Sequence, residues 1–228
     1  MAMFDLEKTS QLELLFTVPR EQRNADWIRA FYEAAAEASL AAREQQTIVG
    51  PDGFRYFALY MPPSRQEFDA FCILHLLDVC LSSGMGCVIH PDQSPPQWVF
   101  TYGNLWSLRS YSTFDATQPQ SESRPALGAG RTVLMAAPSD KFLPAFARDV
   151  LKRYLQQVGV KTPRVLLIND AQGTPSQSLA FDFYPEDFTN RDIFDAVMNR
   201  LKNWFLPPHY GLVGLPKNSQ YETHFVPL

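Results

Sequence analysis

The chain has 228 residues, 46% of them hydrophobic and 19% charged, with a formal net charge of −4. That composition supplies a sizeable core for one large or two small domains and excludes an intrinsically disordered chain. The acidic balance, with a pI near 5.6 and no basic run, lacks the electrostatic footprint of a phosphate-backbone binder, so no nucleic-acid partner is expected.

In chain order, "SQLELLFTV" fits either an alternating strand or an amphipathic helix. "ADWIRAFYEAAAEASLAAR" (25–43) predicts a helix, with Trp27, Ile28, Phe31 and Ala35 on one side and the preceding Asn24 among the candidate caps. "GPDGF" marks a turn, and the aromatic "FRYFALYM" reads as a strand that stops at Pro62 and Pro63. Ser64 and Glu67 have capping-box spacing, which predicts a helix from there to Gly84, apolar nearly all round. "GCVIH" and "QWVFTY" follow as strands around a proline-containing loop, and "GNLWSL" as a short helical turn.

Residues 116–130, "ATQPQSESRPALGAG", are polar and aperiodic. We therefore expect an N-terminal domain over 1–116, a linker or long loop over 117–130 and a C-terminal domain over 131–228. The second half predicts a strand at "RTVLMAA", a long helix with Pro144 in its first turn, strands at "TPRVLLIND" and "SLAFDFY", and a helix at "TNRDIFDAVMNRLKNWF". "YETHFVPL" reads as a final strand.

The halves share a layout. Pro63–Ser64 and Pro138–Ser139 each precede a helix, and Gly84 and Gly159 each end one. "HPDQSPPQ" parallels "NDAQGTPSQ". The expected fold class is α+β, as two related βαββα-type modules with mixed sheets packed against helices.

Chemistry-bearing residues gather between Gly86 and Trp106. His90, at a strand end beside Asp92, has the makings of a general base held in one tautomer. Cys87 lies three residues upstream. Against this stands a structural reading, in which Asp92 bonds backbone amides in a turn. Trp98, Phe100 and Tyr102 share a strand face by period two, which favours packing over a ligand cage. The residues retained as binding candidates are His90, Asp92, Trp98, Tyr102 and Trp106, with no catalytic residue assigned. His75 reads as a buried helix histidine, and His209 and His224 belong to no local motif, so no metal site and no cofactor are expected. Phosphate-cradling and nucleophile-elbow motifs are missing from the sequence.

Three cysteines, Cys72, Cys80 and Cys87, make no disulfide framework and suggest a reducing cytoplasm. The first residues lack the apolar core of a signal peptide, and no window approaches 18 apolar residues, so no membrane association is expected.

"LELLFTV", "IRAFYEAAAEASL", "PDGFRYFALYMPPS" and "AAPSDKFLPAFARDVLKRYLQQVGVKTPRVLLI" together resemble the enhanced-serine-sensitivity (SseB-like) proteins over most of the chain. The resemblance implies a bacterial cytosolic protein of two α+β domains and carries over no catalytic residue. "SSGMGCVIHPDQ" and "YETHFVPL" depart from that pattern. The favoured expectation is a non-enzymatic protein that binds a protein partner or self-associates. The alternatives are an enzyme assembled around Cys87, His90 and Asp92, and an immunity or secretion-associated protein that binds a partner.

Overall fold

The structure is a computed structural model of the chain and describes residues 5–63, 67–115, 133–170, 177–217 and 220–228. Helices and mixed sheets make an α+β fold. The chain divides into two compact units, Met1–Phe114 and Asp115–Leu228.

In the first unit the ambiguous "SQLELLFTV" is helical from Ser10 to Phe16, as the later part of α1 (Leu6–Phe16), whose first turn is capped by the Asp5 carboxylate accepting from the Lys8 amide. Asn24 caps α2 (Ala25–Glu37) in the same way, accepting from the Trp27 amide. The helix predicted through residue 43 stops at Ala38. The next residues are held by other parts of the chain: the Thr9 hydroxyl bonds Ser39 on both its amide and its carbonyl, and β1 (Leu40–Ala41) pairs with β4 (Ala70–Phe71). Strand pairing here overrides helix propensity.

Strands β2 (Thr47–Val49) and β3 (Arg55–Leu59) form a hairpin around Gly50–Phe54. Asp52 accepts from the Phe54 amide and from the Tyr56 hydroxyl. A side chain at Gly50 would place its Cβ 2.7 Å from the Tyr56 ring, so the turn requires glycine there.

The helix expected from Ser64 starts later, as α3 (Ile73–Ser83), because residues 70–71 are taken by β4. Ser64 lies outside the described residues. Gly84, with φ 69°, ends α3 in the left-handed region, where glycine avoids a Cβ penalty. β5 (Gly86–Ile89) and β6 (Trp98–Phe100) complete a sheet ordered β2-β3-β5-β6, with β3 and β5 parallel and the outer pairs antiparallel.

By register, Phe57, Leu59, Cys87, Ile89, Trp98 and Phe100 share one sheet face. On that face Phe31 of α2 meets Trp98 at 4.4 Å and Phe100 at 5.8 Å between ring centroids. Tyr102 does not continue β6. Thr101 and Asn104 form a capping box there, and Tyr102 opens α4 (Tyr102–Tyr111), a full helix in place of the predicted turn.

In the second unit, β7 (Leu134–Ala136) is followed by α5 (Ala145–Gln157), with Pro144 as its N-cap rather than within its first turn. β8 (Arg164–Asn169) and β9 (Gln177–Phe181) are antiparallel. Asn190 caps α6 (Arg191–Arg200), which continues through a π turn, Leu201–Phe205. β10 (Gly211–Leu212) adds parallel to β9. On the far edge of β8, β11 (Val226–Pro227) pairs with Arg164–Val165 and β7 with Leu167–Asn169. The segment from β10 to β11 therefore runs from one sheet edge to the other, and Val213, Leu215 and Phe225 pack with Leu166, Ile168 and Ala180.

Strand, helix, hairpin and helix follow in the same order in both units. The pairing differs: β3 is parallel to β5, whereas β7 is antiparallel to β8. The likeness covers element order and the antiparallel hairpins β5–β6 and β8–β9, and does not extend to the pairing of the strand before each helix. The loop over 117–130 and most of the second Asp-Gln-Pro turn (171–176) lie outside the described residues.

Candidate functional site

The chain leaves β5 at His90, whose φ is 50°, an uncommon conformation for a residue with a Cβ. The His90 amide donates to the Leu59 carbonyl at 2.9 Å, the last rung between β5 and β3. Its own carbonyl accepts from the Gln93 amide at 3.2 Å, closing a turn. The imidazole folds back toward β3, where Nε2 accepts from the Met61 amide at 3.1 Å. Nδ1 lies 3.5 Å from an Asp92 carboxylate oxygen. With Nε2 as acceptor, the neutral ring carries its proton on Nδ1, facing Asp92.

Two residues not singled out from sequence complete the cluster. Ala41 and Tyr60 exchange a pair of backbone hydrogen bonds at 2.8 Å, which sets Tyr60 beside the end of β1. Arg43, two residues further, lays its guanidinium 3.7 Å over the Tyr60 ring and donates to Asp92 at 2.9 Å. The Tyr60 ring also meets His90 edge-on, with centroids 5.6 Å apart. Burial, the largest single influence, would raise the Asp92 carboxyl, but the Arg43 hydrogen bond, a backbone hydrogen bond and the nearby positive charge together outweigh it and hold that group below the usual carboxylate range. The cluster sits at the carboxyl ends of the parallel strands β3 and β5, where open sheets commonly present ligand-facing groups.

From this end the exposed residues Asp92–Pro95 lead toward β6. A second arginine, Arg20, donates to the Pro95 and Pro96 carbonyls at 3.0 and 2.6 Å. The loop is thus fixed by guanidinium groups from two separate segments.

The structure brings His90 and Asp92 together and turns Cys87 elsewhere. The Cys87 sulfur lies 3.7 Å from that of Cys80 in α3, and both are fully buried. The bond to Cys80, then burial, pushes the Cys87 thiol well above its ordinary range, the reverse of what an attacking thiolate needs. The His90 nitrogen that would act as a base is already occupied by the Met61 amide.

Tyr102 and Trp106 are wholly buried in α4, where Tyr102 donates to the Leu81 carbonyl at 3.2 Å. Trp98 is half-buried against Trp27, Phe31 and Tyr32. These three aromatics pack in the unit, as the period-two reading favoured for Trp98, and only His90 and Asp92 among the binding candidates reach the loop. His75, expected to be buried, is exposed on α3. Among the described residues no group of three or more His, Cys, Asp or Glu side chains is arranged to hold a metal ion. No helix among them is long and apolar enough to cross a membrane. Comparison with family models, curated proteins and solved structures finds no match to the chain.

Proposed function

We propose that the protein is a non-enzymatic binding protein and that the Pro91–Gln97 loop is the surface it offers to a protein partner. The observation that supports this reading is the double clamp, in which Arg43 holds Asp92 and Arg20 holds Pro95 and Pro96 while Asp92, Gln93, Ser94 and Pro95 remain exposed. Ordering an exposed loop costs conformational entropy, about 1–2 kcal/mol per residue. A loop ordered in advance loses less of that entropy on binding, which is the basis of preorganised recognition. Arginine, with its planar fork of donors, suits this task.

The occupied Nε2 of His90 and the buried Cys87 thiol weigh against an enzyme assembled from these residues. The test is site-specific photocrosslinking in cells, with benzoylphenylalanine at Gln93 and, as a control, at exposed Lys152 on α5. The expected result is a discrete adduct from Gln93, to another polypeptide or a second copy of the chain, that is lost when Arg43→Ala and Arg20→Ala are combined. Equal labelling from Lys152, or an adduct indifferent to both arginines, would refute the reading.

A further inference from the structure

We propose that His90 is a pH-operated latch on the Pro91–Gln97 loop, a regulation that rests on reading this loop as the recognition surface. Beyond Leu59 the backbone of β3 continues while β5 has left the sheet, so the Met61 amide has no strand carbonyl opposite it. The His90 ring fills that place, and its Nε2 substitutes for the missing acceptor at 3.1 Å. A backbone carbonyl there would accept at any physiological pH. An imidazole accepts only while neutral, because protonation puts a second N–H on Nε2, facing the Met61 N–H donor to donor.

Among the described residues, the groups facing the ring are few. Asp92, from the loop itself, lies beside Nδ1. Arg43 is bonded to Asp92 from the segment after β1. Tyr60, at the end of β3, presents its ring edge-on. None of them supplies an acceptor for a proton on Nε2. The imidazole is 21% exposed, so a proton reaches it without unfolding.

Once protonated, the ring swings from Met61 toward Asp92. The left-handed backbone at His90, held against its strain in part by that bond, then loses a restraint at the root of the loop. Acidification therefore loosens a loop that is preorganised at neutral pH and weakens whatever it binds.

The test is a pH titration of the isotope-labelled full chain by NMR across the interval in which imidazoles ordinarily titrate, about pH 5 to 8. The expected result is that the His90 Nε2 nitrogen moves from acceptor to N–H character. In step with it, the Met61 amide shifts and, after correction for intrinsic exchange, loses about tenfold of its protection, the equivalent of one ordinary hydrogen bond. In His90→Gln, which carries a non-titrating acceptor, the Met61 protection stays flat. The wild-type titration alone decides the matter if that variant does not fold. A Met61 amide that keeps its protection while His90 titrates, or a His90 ring that stays neutral to the acid end with the fold intact, overturns the latch. Neither readout needs a partner. A coupled His90–Met61 titration with no Gln93 crosslink therefore upholds the latch and defeats the recognition reading, and a pH-indifferent Met61 with a clamp-dependent crosslink does the opposite.

Discussion

Truncation of Phe31 to alanine is the sharpest test of how the first unit holds the loop. Phe31 is fully buried and meets five aromatic rings: Trp98 at 4.4 Å, Trp27 at 5.0 Å, Phe16 at 5.6 Å, Phe100 at 5.8 Å and Tyr32 at 5.9 Å. Replacing a buried phenylalanine by alanine costs about 3–5 kcal/mol, from lost transfer energy and the cavity left behind. Because the neighbouring rings are themselves fixed by one another, the cavity collapses poorly and the upper half of that range applies. Against a typical total of about 5–15 kcal/mol this leaves the unit marginal. At about 4 °C per kcal/mol, its melting temperature falls by roughly 16–20 °C. Urea unfolding followed by tryptophan emission reads the change, since Trp27 and Trp98 both touch the deleted ring. Leu14→Ala, at a residue 69% exposed on α1, is the control and costs about 0.5 kcal/mol or less. If the two variants cost the same, the aromatic cluster is not the element that seats β6 on α2.

The alkaline limb of stability depends on Tyr56. Burial, and then the hydrogen bond and charge of Asp52, push its hydroxyl well above the ordinary tyrosine range. The folded state thus holds this proton more tightly than the unfolded chain. The contribution is complete below about pH 10, where unfolded tyrosines titrate, and is lost as pH rises beyond it. Denaturation midpoints measured through that range should fall less steeply in Tyr56→Phe than in wild type, and parallel curves would contradict the assignment. The three thiols, Cys72, Cys80 and Cys87, are all buried, so a thiol-reactive disulfide reagent should label none in the native protein and all three in denaturant. Rapid native labelling of Cys87 would revive a nucleophilic role for it.

Local signals were legible where local physics decides. Asn24 and Asn190 cap the helices whose apolar spacing follows them, and Gly84 ends α3 where a left-handed residue is required. Boundaries set by distant segments were not. Residues 38–43 have helical composition, but Leu40–Ala41 is claimed by a strand from residues 70–71, which also delays α3. Tyr102 continues an alternating pattern, but the Thr101–Asn104 box starts a helix on it. At the site, His90 and Asp92 stand out because strand-end polar residues carry a signal of their own. Arg43, Tyr60 and Met61 do not, since an arginine after an alanine-rich helix and the end of an aromatic strand look unremarkable until the β1–Tyr60 bridge brings them to the loop. The Cys80–Cys87 contact likewise depends on how the Gly84 turn returns the chain from helix to strand.

The divided edge of β8 bears on how the second unit avoids its own kind. An open strand edge is a template for another chain, and long apolar edges lead to aggregation. Here the flank of the leucine-rich β8 is covered by two fragments far apart in sequence, one of three residues and one of two. The shorter ends in Pro227, which has no amide hydrogen to donate to an incoming strand. On the other side, β10 offers two residues. Among the described residues, the most aggregation-prone strand of the unit is thus bordered by pieces too short to extend the ladder.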